Sequence, residues 1–238
     1  MKTILTKAQD RGAAQMGWLN AKYSFSFANY YNPLRIHFGT LRVLNDDLIA
    51  PDNGFGTHPH DNMEIISIPL AGQLAHKDST GGEGVISRNE VQIMSAGTGV
   101  YHSEFNPSKT ETTNLLQIWL FPKKKNIAPR YGQMKFSDEQ KRNTLLNIIN
   151  PVEGEGHLSL NQDAWFYLGN FDKESSIHYK QKKQGNGSFL FVIEGEVEAG
   201  GQKLQKRDSL GISETDAFDI TVKPGTELLL MDIPMTVA

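Results

Sequence analysis

Two short segments carry metal-binding residue types at a spacing that strands can use. The first is GFGTHPHDNMEIIS, residues 54–67, with His58 and His60 separated by one residue; the second is SAGTGVYHSEF, residues 95–105, with His102 and Glu104 at the same spacing. Side chains alternate across a strand, so both members of each pair share a face. Two such pairs set opposite each other across a barrel offer three imidazoles and one carboxylate to a single divalent cation, at roughly 2.0–2.2 Å. An octahedral ion held by four protein ligands keeps two adjacent positions for water, substrate or dioxygen. The parity of His58 and His60 continues through Asn62 to Glu64, Ile66 and Ile68, so Glu64 competes with Glu104, and spacing leaves that choice open. Pro59 cannot donate to a ladder, which places its strand at a start or a sheet edge. His37, His76, His157 and His178 stand alone and read as surface or satisfied core residues.

The elements that must position these pairs are short strands. Helical periodicity is sparse, whereas apolar or alternating runs such as LRVLND, EIISIPLAG, VQIMSAG, NLLQIWLFP, SFLFVIEG and ELLLMDIP recur between Gly, Asn, Asp and Pro. That pattern predicts an all-β sandwich or barrel. Ser137 followed by Gln140 has the form of a helix capping box, and the apolar run 145–149 after it fits either a helix end or a strand. IPLAGQ (68–73) and FVIEGE (191–196) repeat one sketch of apolar strand, glycine turn and second strand, which implies two similar β domains in tandem. The polar PKKKNIAPRY (122–131), with its two prolines, is the expected linker, giving domains at 1–130 and 131–238. The second domain has no HxH or HxE, so one metal site per chain is expected, in the first domain.

Composition narrows the partners. The 238-residue chain is 38% hydrophobic and 21% charged, ordinary for a globular protein, and its net charge of −3 provides no field for nucleic acid or an anionic membrane. Its densest basic run, Lys123 to Lys125, reads as a solvated loop. Cysteine is absent, which excludes disulfides, thiolate nucleophiles and thiolate ligands. No secretory signal is readable at the N-terminus and no apolar run approaches the ~20 residues that span a bilayer, so the expected location is cytoplasmic.

In order along the chain, FGTHPHDNMEII, AHKDSTG, VQIMSAGTGVYHSEFN and LQIWLFP followed by APRY resemble the pirins, a branch of the bicupins. RGAAQMGWLNAKYSFSFANYYNP and FGTLRVLNDD are similar to the N-terminal portion of bacterial pirin-like proteins. The resemblance implies two tandem cupin barrels (double-stranded β-helix, jelly-roll), with metal in the N-terminal one. It favours His58, His60, His102 and Glu104 as ligands, with Glu64 accepting a hydrogen bond from a ligating ring. This sequence departs from the family in two places. Asp61 stands where many pirins have arginine directly after HPH, and Arg88-Asn89-Glu90-Val91-Gln92 replaces the usual PGDVQ turn.

The activity that the resemblance implies is that of a quercetin 2,3-dioxygenase, opening flavonols with O2 and releasing carbon monoxide. Glu104 is then also the expected catalytic base, and Phe25, Phe27, Phe38 and Met94 are candidates for the apolar pocket. Fe(II) is the first expectation for the cofactor, with Ni, Co, Mn, Cu or Zn fitting the same ligands. The competing implication is a non-enzymatic metal-binding regulator that acts through protein partners, as eukaryotic pirins do in transcription. A monomer suffices for a tandem-barrel chain.

Overall fold

The computed structural model of the chain describes residues 1–237. Each half consists of a seven-stranded and a four-stranded sheet whose inner faces pack together in a jelly-roll-like sandwich. In the N-terminal half the larger sheet runs Arg130–Lys135, Glu90–Ser95, Glu64–Ala71, Thr113–Leu120, Leu41–Ile49, Leu19–Tyr23, Gly12–Gln15. The smaller runs Gly54–His60, Val100–Phe105, Gln73–Asp78, Glu83–Ser87. The C-terminal half repeats this plan, with Asn186–Glu194 and Thr226–Pro234 central in its larger sheet and Ser175–Lys180 and Ala217–Val222 paired in its smaller one.

Sequence pattern follows from which faces are covered. The two large sheets pack back to back, and Ile66, Ile68, Leu116 and Ile118 of one half form a single core with Phe166, Phe189, Phe191 and Met231 of the other. The opposite faces cover each half's own interior. Strands buried on both faces read as continuous apolar runs, as in EIISIPL and NGSFLFVI. The four-stranded sheets have one solvated face, so VYHSEF and AFDITV alternate.

The repeated glycine turn is one device used twice. Gly72 and Gly195 have φ of 71° and 83°, a region that favours glycine. A Cβ on either would also strike a threonine, Thr113 or Thr226. Those hydroxyls close the turns in the same way: Thr113 Oγ1 donates to the Gln73 carbonyl (2.6 Å) and accepts from the Gln73 amide (3.2 Å). Thr226 does both with Glu196, at 3.0 and 3.1 Å.

Strand exchange between the halves adds to the shared core. Lys2–Thr6 pairs with Ser209–Ser213 at the edge of the C-terminal sheet, and Arg130–Lys135 pairs with Glu90–Ser95 in the N-terminal one. The segment before Arg130 is tied at both sides, with the Lys123 amide donating to the Asn161 carbonyl and the Thr98 amide to the Ile127 carbonyl. Lys123 to Lys125 are exposed, and Lys123 pairs with Asp163 at 2.6 Å. The expected capping box closes the single helical turn Asp138–Lys141, and the ambiguous run after it is the strand Leu146–Asn150.

Glu64 belongs to this interdomain seam. Between His60 and Glu64 the chain turns through Asn62, whose φ is +44°, so the parity of the HPH strand does not carry forward. Glu64 therefore shares the interdomain face of Ile66 and Ile68, and Oε2 accepts from Ser95 Oγ (2.7 Å) and the Asn161 amide (3.1 Å). It makes no bond to a histidine ring. Glu64→Ala leaves two buried donors unmatched and should cost about 1–3 kcal/mol in urea unfolding while metal content per chain stays unchanged. Phe189 contacts Phe25 and Phe38 across the seam, at ring-centroid distances of 5.7 and 5.5 Å. Phe189→Ala should lower stability by about 3–5 kcal/mol in a single transition for both halves, read by calorimetry.

Candidate metal centre

Gly54–His60 is the edge strand of its sheet, where Pro59 leaves no ladder partner unmet. Among the described residues its one strand neighbour is Val100–Phe105, in a register that sets His58 beside His102 and His60 beside Val100. The two pairs thus lie on adjacent antiparallel strands, not across a barrel as their separation in sequence implies. A register shift between His102 and Glu104 places the carboxylate opposite Phe55.

Three imidazoles converge there. Ring centroids are 4.4 Å apart for His58 and His102, and 4.9 Å for His58 with His60 and for His60 with His102. One ring nitrogen from each lies within 4.8 Å of the others. His58 Nδ1 bonds to the Gly56 carbonyl (2.8 Å), which assigns its proton there and leaves Nε2 with a lone pair. The Nε2 atoms of His60 and His102 are buried without a hydrogen-bond partner. Burial, followed by the charges of neighbouring histidines, pushes His60 down to about 4 and His102 to about 3. All this fits a divalent cation: neutral rings with free lone pairs are the form that ligates.

Glu104 is 1% exposed and fully engaged, accepting from Ser67 Oγ at 3.0 Å on Oε1 and from Gln117 Nε2 at 2.6 Å on Oε2. Burial pushes it up to about 7 against those two hydrogen bonds. Its donor atom groups with those of His102 and His76, so His102 is common to two overlapping triplets.

His76 is therefore no isolated residue. It is 2% exposed, its Nε2 lies 3.0 Å from Asp78 Oδ2, and its Nδ1 lies 3.5 Å from His102 Nδ1 and 3.3 Å from Gln92 Nε2. Burial pushes Asp78 up, but hydrogen bonds from Thr80, His76 and Gly82 outweigh it and hold the carboxyl at about 2. The anionic Asp78 fixes the His76 proton on Nε2, and His76 Nδ1 then favours the His102 tautomer whose Nε2 is free. The signal for this pair was HKD within AHKDSTG, a third alternating pair with the spacing of HPH and HSE.

Beside His58 and Glu104 lies a cavity of about 200 Å³, walled by Leu19, Tyr23, Phe27, Phe55 and Trp119 and reached by Asn45, Asp47 and Gln117. Of the four apolar candidates from sequence, Phe27 alone lines it. Phe25 and Phe38 belong to the interdomain core, and Met94 packs with Ile65 and Val100. A larger recess of about 400 Å³ on the C-terminal half borders Gln181, Asn186 and Asp216, remote from these histidines in the fold.

The matching interior of the C-terminal half is filled. Tyr179, Phe218, Ile220 and Val222 pack there with Leu190 and Leu228, while His178 points outward to Asp219 at 2.7 Å.

Comparison with known proteins accords with this layout. The family model described as Pirin matches residues 6–120, and that described as Quercetinase C-terminal cupin domain matches residues 147–233. Quercetin 2,3-dioxygenase of Escherichia coli (strain K12) is 42% identical over 231 residues, covering 97% of this chain and 98% of the relative. The crystal structure of YhhW from Escherichia coli superposes with a TM-score of 0.94 at 39% identity, over all of both chains. Bacterial pirin YhhW in complex with nickel(II) superposes with a TM-score of 0.92 at 39% identity, over 98% of this chain and 99% of the other. Sequence identity and fold, sustained along nearly the whole length, agree: the chain belongs to the pirin family.

Proposed function

We propose that this chain is a metal-dependent dioxygenase that opens flavonols such as quercetin with O2 and releases carbon monoxide. The observation that carries this reading is the convergence of three imidazoles beside an aromatic-walled cavity. His58, His60 and His102 would hold one divalent cation through Nε2, with Glu104 as the carboxylate of the set. Fe(II) is the first choice for oxygen chemistry at such donors, and nickel(II), named in the complex of the Escherichia coli pirin, is the second. When bound, the cation supplies Lewis acidity toward a flavonol hydroxyl and redox access to dioxygen.

The remaining tasks fall to the chain. Phe27, Phe55 and Trp119 offer flat apolar walls to a planar aromatic and exclude water from it. Glu104, held between Ser67 and Gln117 on the cavity wall, is the base that takes the 3-hydroxyl proton. Losing that proton leaves an electron-rich enolate. In the overall reaction both oxygen atoms of O2 enter the organic product, and the ring carbon bearing the hydroxyl leaves with its own oxygen as carbon monoxide. No external reductant is consumed. A regulator acting through protein partners needs the imidazoles but not the cavity, so the cavity favours turnover over that second reading.

Elemental analysis of natively purified protein should find about one transition metal per chain. The Fe(II) form mixed with quercetin should consume O2 and release carbon monoxide in equal amounts. His102→Ala should lower metal content at least ~10-fold and remove turnover with it, and Glu104→Gln should lower kcat by ~100-fold or more. Metal-loaded protein that consumes no O2 with any flavonol would overturn the enzymatic reading and leave the metal-binding one.

A further inference from the structure

Asn45 and Asp47 lie on Leu41–Ile49, a strand flanked on both sides in the large N-terminal sheet, with Gln117 opposite Asn45 and Leu115 opposite Asp47. They are two apart and share the inner face. Asn45 is 3% exposed and Asp47 2% exposed, yet Asn45 Oδ1 and Asp47 Oδ1 have no hydrogen-bond partner. Both residues line the cavity that reaches His58 and Glu104. Trp119 lines it too, and its Nε1 is buried without an acceptor. Interior polar groups are nearly always paired, and leaving one unpaired costs the fold its full desolvation penalty. Three around one small cavity therefore point to a partner that the fold itself does not supply.

We infer that Asn45 and Asp47 form a hydroxyl-recognition subsite on the large-sheet wall of the metal cavity, selecting an aromatic ring that carries adjacent hydroxyl groups. The inference rests on the proposed flavonol activity and names the part of the substrate that this wall reads.

The chemistry of the subsite chooses its ligand. No Lys or Arg lines the cavity. Arg11 and Arg207 pair instead with Asp46, which projects from the opposite face of the strand. A desolvated carboxyl with no cation bonded to it favours its neutral form, and burial followed by the charges of Asp46 and Glu104 outweighs the pull of Arg11 and pushes Asp47 up to about 8. As a neutral acid Asp47 presents one donor and one acceptor, Asn45 Oδ1 adds an acceptor and Trp119 Nε1 a donor. A phenolic hydroxyl both donates and accepts, so two adjacent hydroxyls complement this set, whereas an anionic ligand meets no cationic side chain among the lining residues.

Size sets the stoichiometry of rings. At about 200 Å³ the cavity somewhat exceeds the ~150 Å³ that holds a benzene. It takes one hydroxylated ring. With the reacting hydroxyl at the His58 and Glu104 side, the ring that reaches Asn45 and Asp47 is the phenyl substituent beside the reacting carbon.

The test uses flavonols that differ only on that phenyl ring: quercetin with two adjacent hydroxyls, kaempferol with one and galangin with none. In the metal-loaded wild-type protein kcat/KM should fall in that order, by at least ~10-fold from first to last, mostly through KM. Asp47→Leu should compress the series to within ~2-fold. The same substitution should raise the Tm of ligand-free protein by a few degrees, because an unmatched buried acid gives way to an apolar group. A residue with a structural role alone would shift Tm the other way and leave the series intact. Asn45→Leu provides an independent second variant. Anaerobic binding of each flavonol to the nickel-loaded protein, followed by tryptophan fluorescence, reads the subsite without turnover. Asp47-dependent binding without O2 consumption would sustain the subsite and sink the dioxygenase. Turnover indifferent to the phenyl hydroxyls, in wild type and both variants, would sink the subsite and spare the dioxygenase.

Discussion

Because Gly54–His60 pairs with Val100–Phe105 in the register that sets His58 beside His102, imidazoles from two remote segments become cross-strand neighbours. A slip of one residue would turn every side chain of one strand to the opposite face and dismantle the cluster. The register is not held by the histidines, whose mutual proximity is unfavourable whenever more than one is charged. On its other side Val100–Phe105 also pairs with Gln73–Asp78, which makes it an interior strand and brings Asp78 beside His102 and His76 beside Glu104. His58 and His60 thus rest on a strand that is itself at the sheet edge, while the more buried His102 and Glu104 occupy an interior strand with partners on both sides.

The two halves show what the frame requires and what it leaves free. Gly72 with Thr113 and Gly195 with Thr226 build the same turn in the same place, so the duplicated element is the backbone course. The interiors then diverge by side-chain type at corresponding strands. Val100–Phe105 turns His102 and Glu104 inward, whereas Ala217–Val222 turns Phe218, Ile220 and Val222 inward and packs solidly. A solid apolar interior stabilises; a polar one with a cavity costs stability and creates a site. The back-to-back large sheets, sharing one core with the C-terminal half, hold the N-terminal half together despite that cost.

Much of what depends on local alternation was legible in the sequence, the HKD pair excepted, and what depends on strand order was not. HPH and HSE announce a shared face within four residues each, the Ser137 and Gln140 box closes within one turn, and the glycine echo marks equivalent turns. Glu64 was misread because parity was carried through Asn62, whose left-handed backbone resets the facing. His76 was read as isolated because its partners, Asp78 and His102, come from spacing within one strand and pairing with another. Phe25 and Phe38 were placed near the pocket by type alone, while the back-to-back packing of two sheets, invisible in composition, sends them to the seam. Asn45 ends the apolar part of LRVLND and Asp47 lies just beyond that run; in the fold the strand continues to Ile49, which carries both residues inside.

Charge explains how the polar interior of the N-terminal half holds together. Asp78, Glu104 and Asp47 surround the histidines within the N-terminal sandwich, and no Lys or Arg lines their cavity. The sequence has arginines close by, but Arg11 and Arg207 are spent on Asp46, on the outer face of the same strand. Each inner acid is handled differently: Asp78 is held down by four donors, Glu104 accepts from two, and Asp47, which accepts from none, is pushed up by burial. A divalent cation at the imidazoles would favour the ionised form of the acid nearest to it and act less on the one farther away. Binding to the folded state alone would then return, through mass action, stability that the polar interior costs. The same arrangement that makes the interior a poor core leaves imidazole nitrogens and unpaired polar groups facing one cavity.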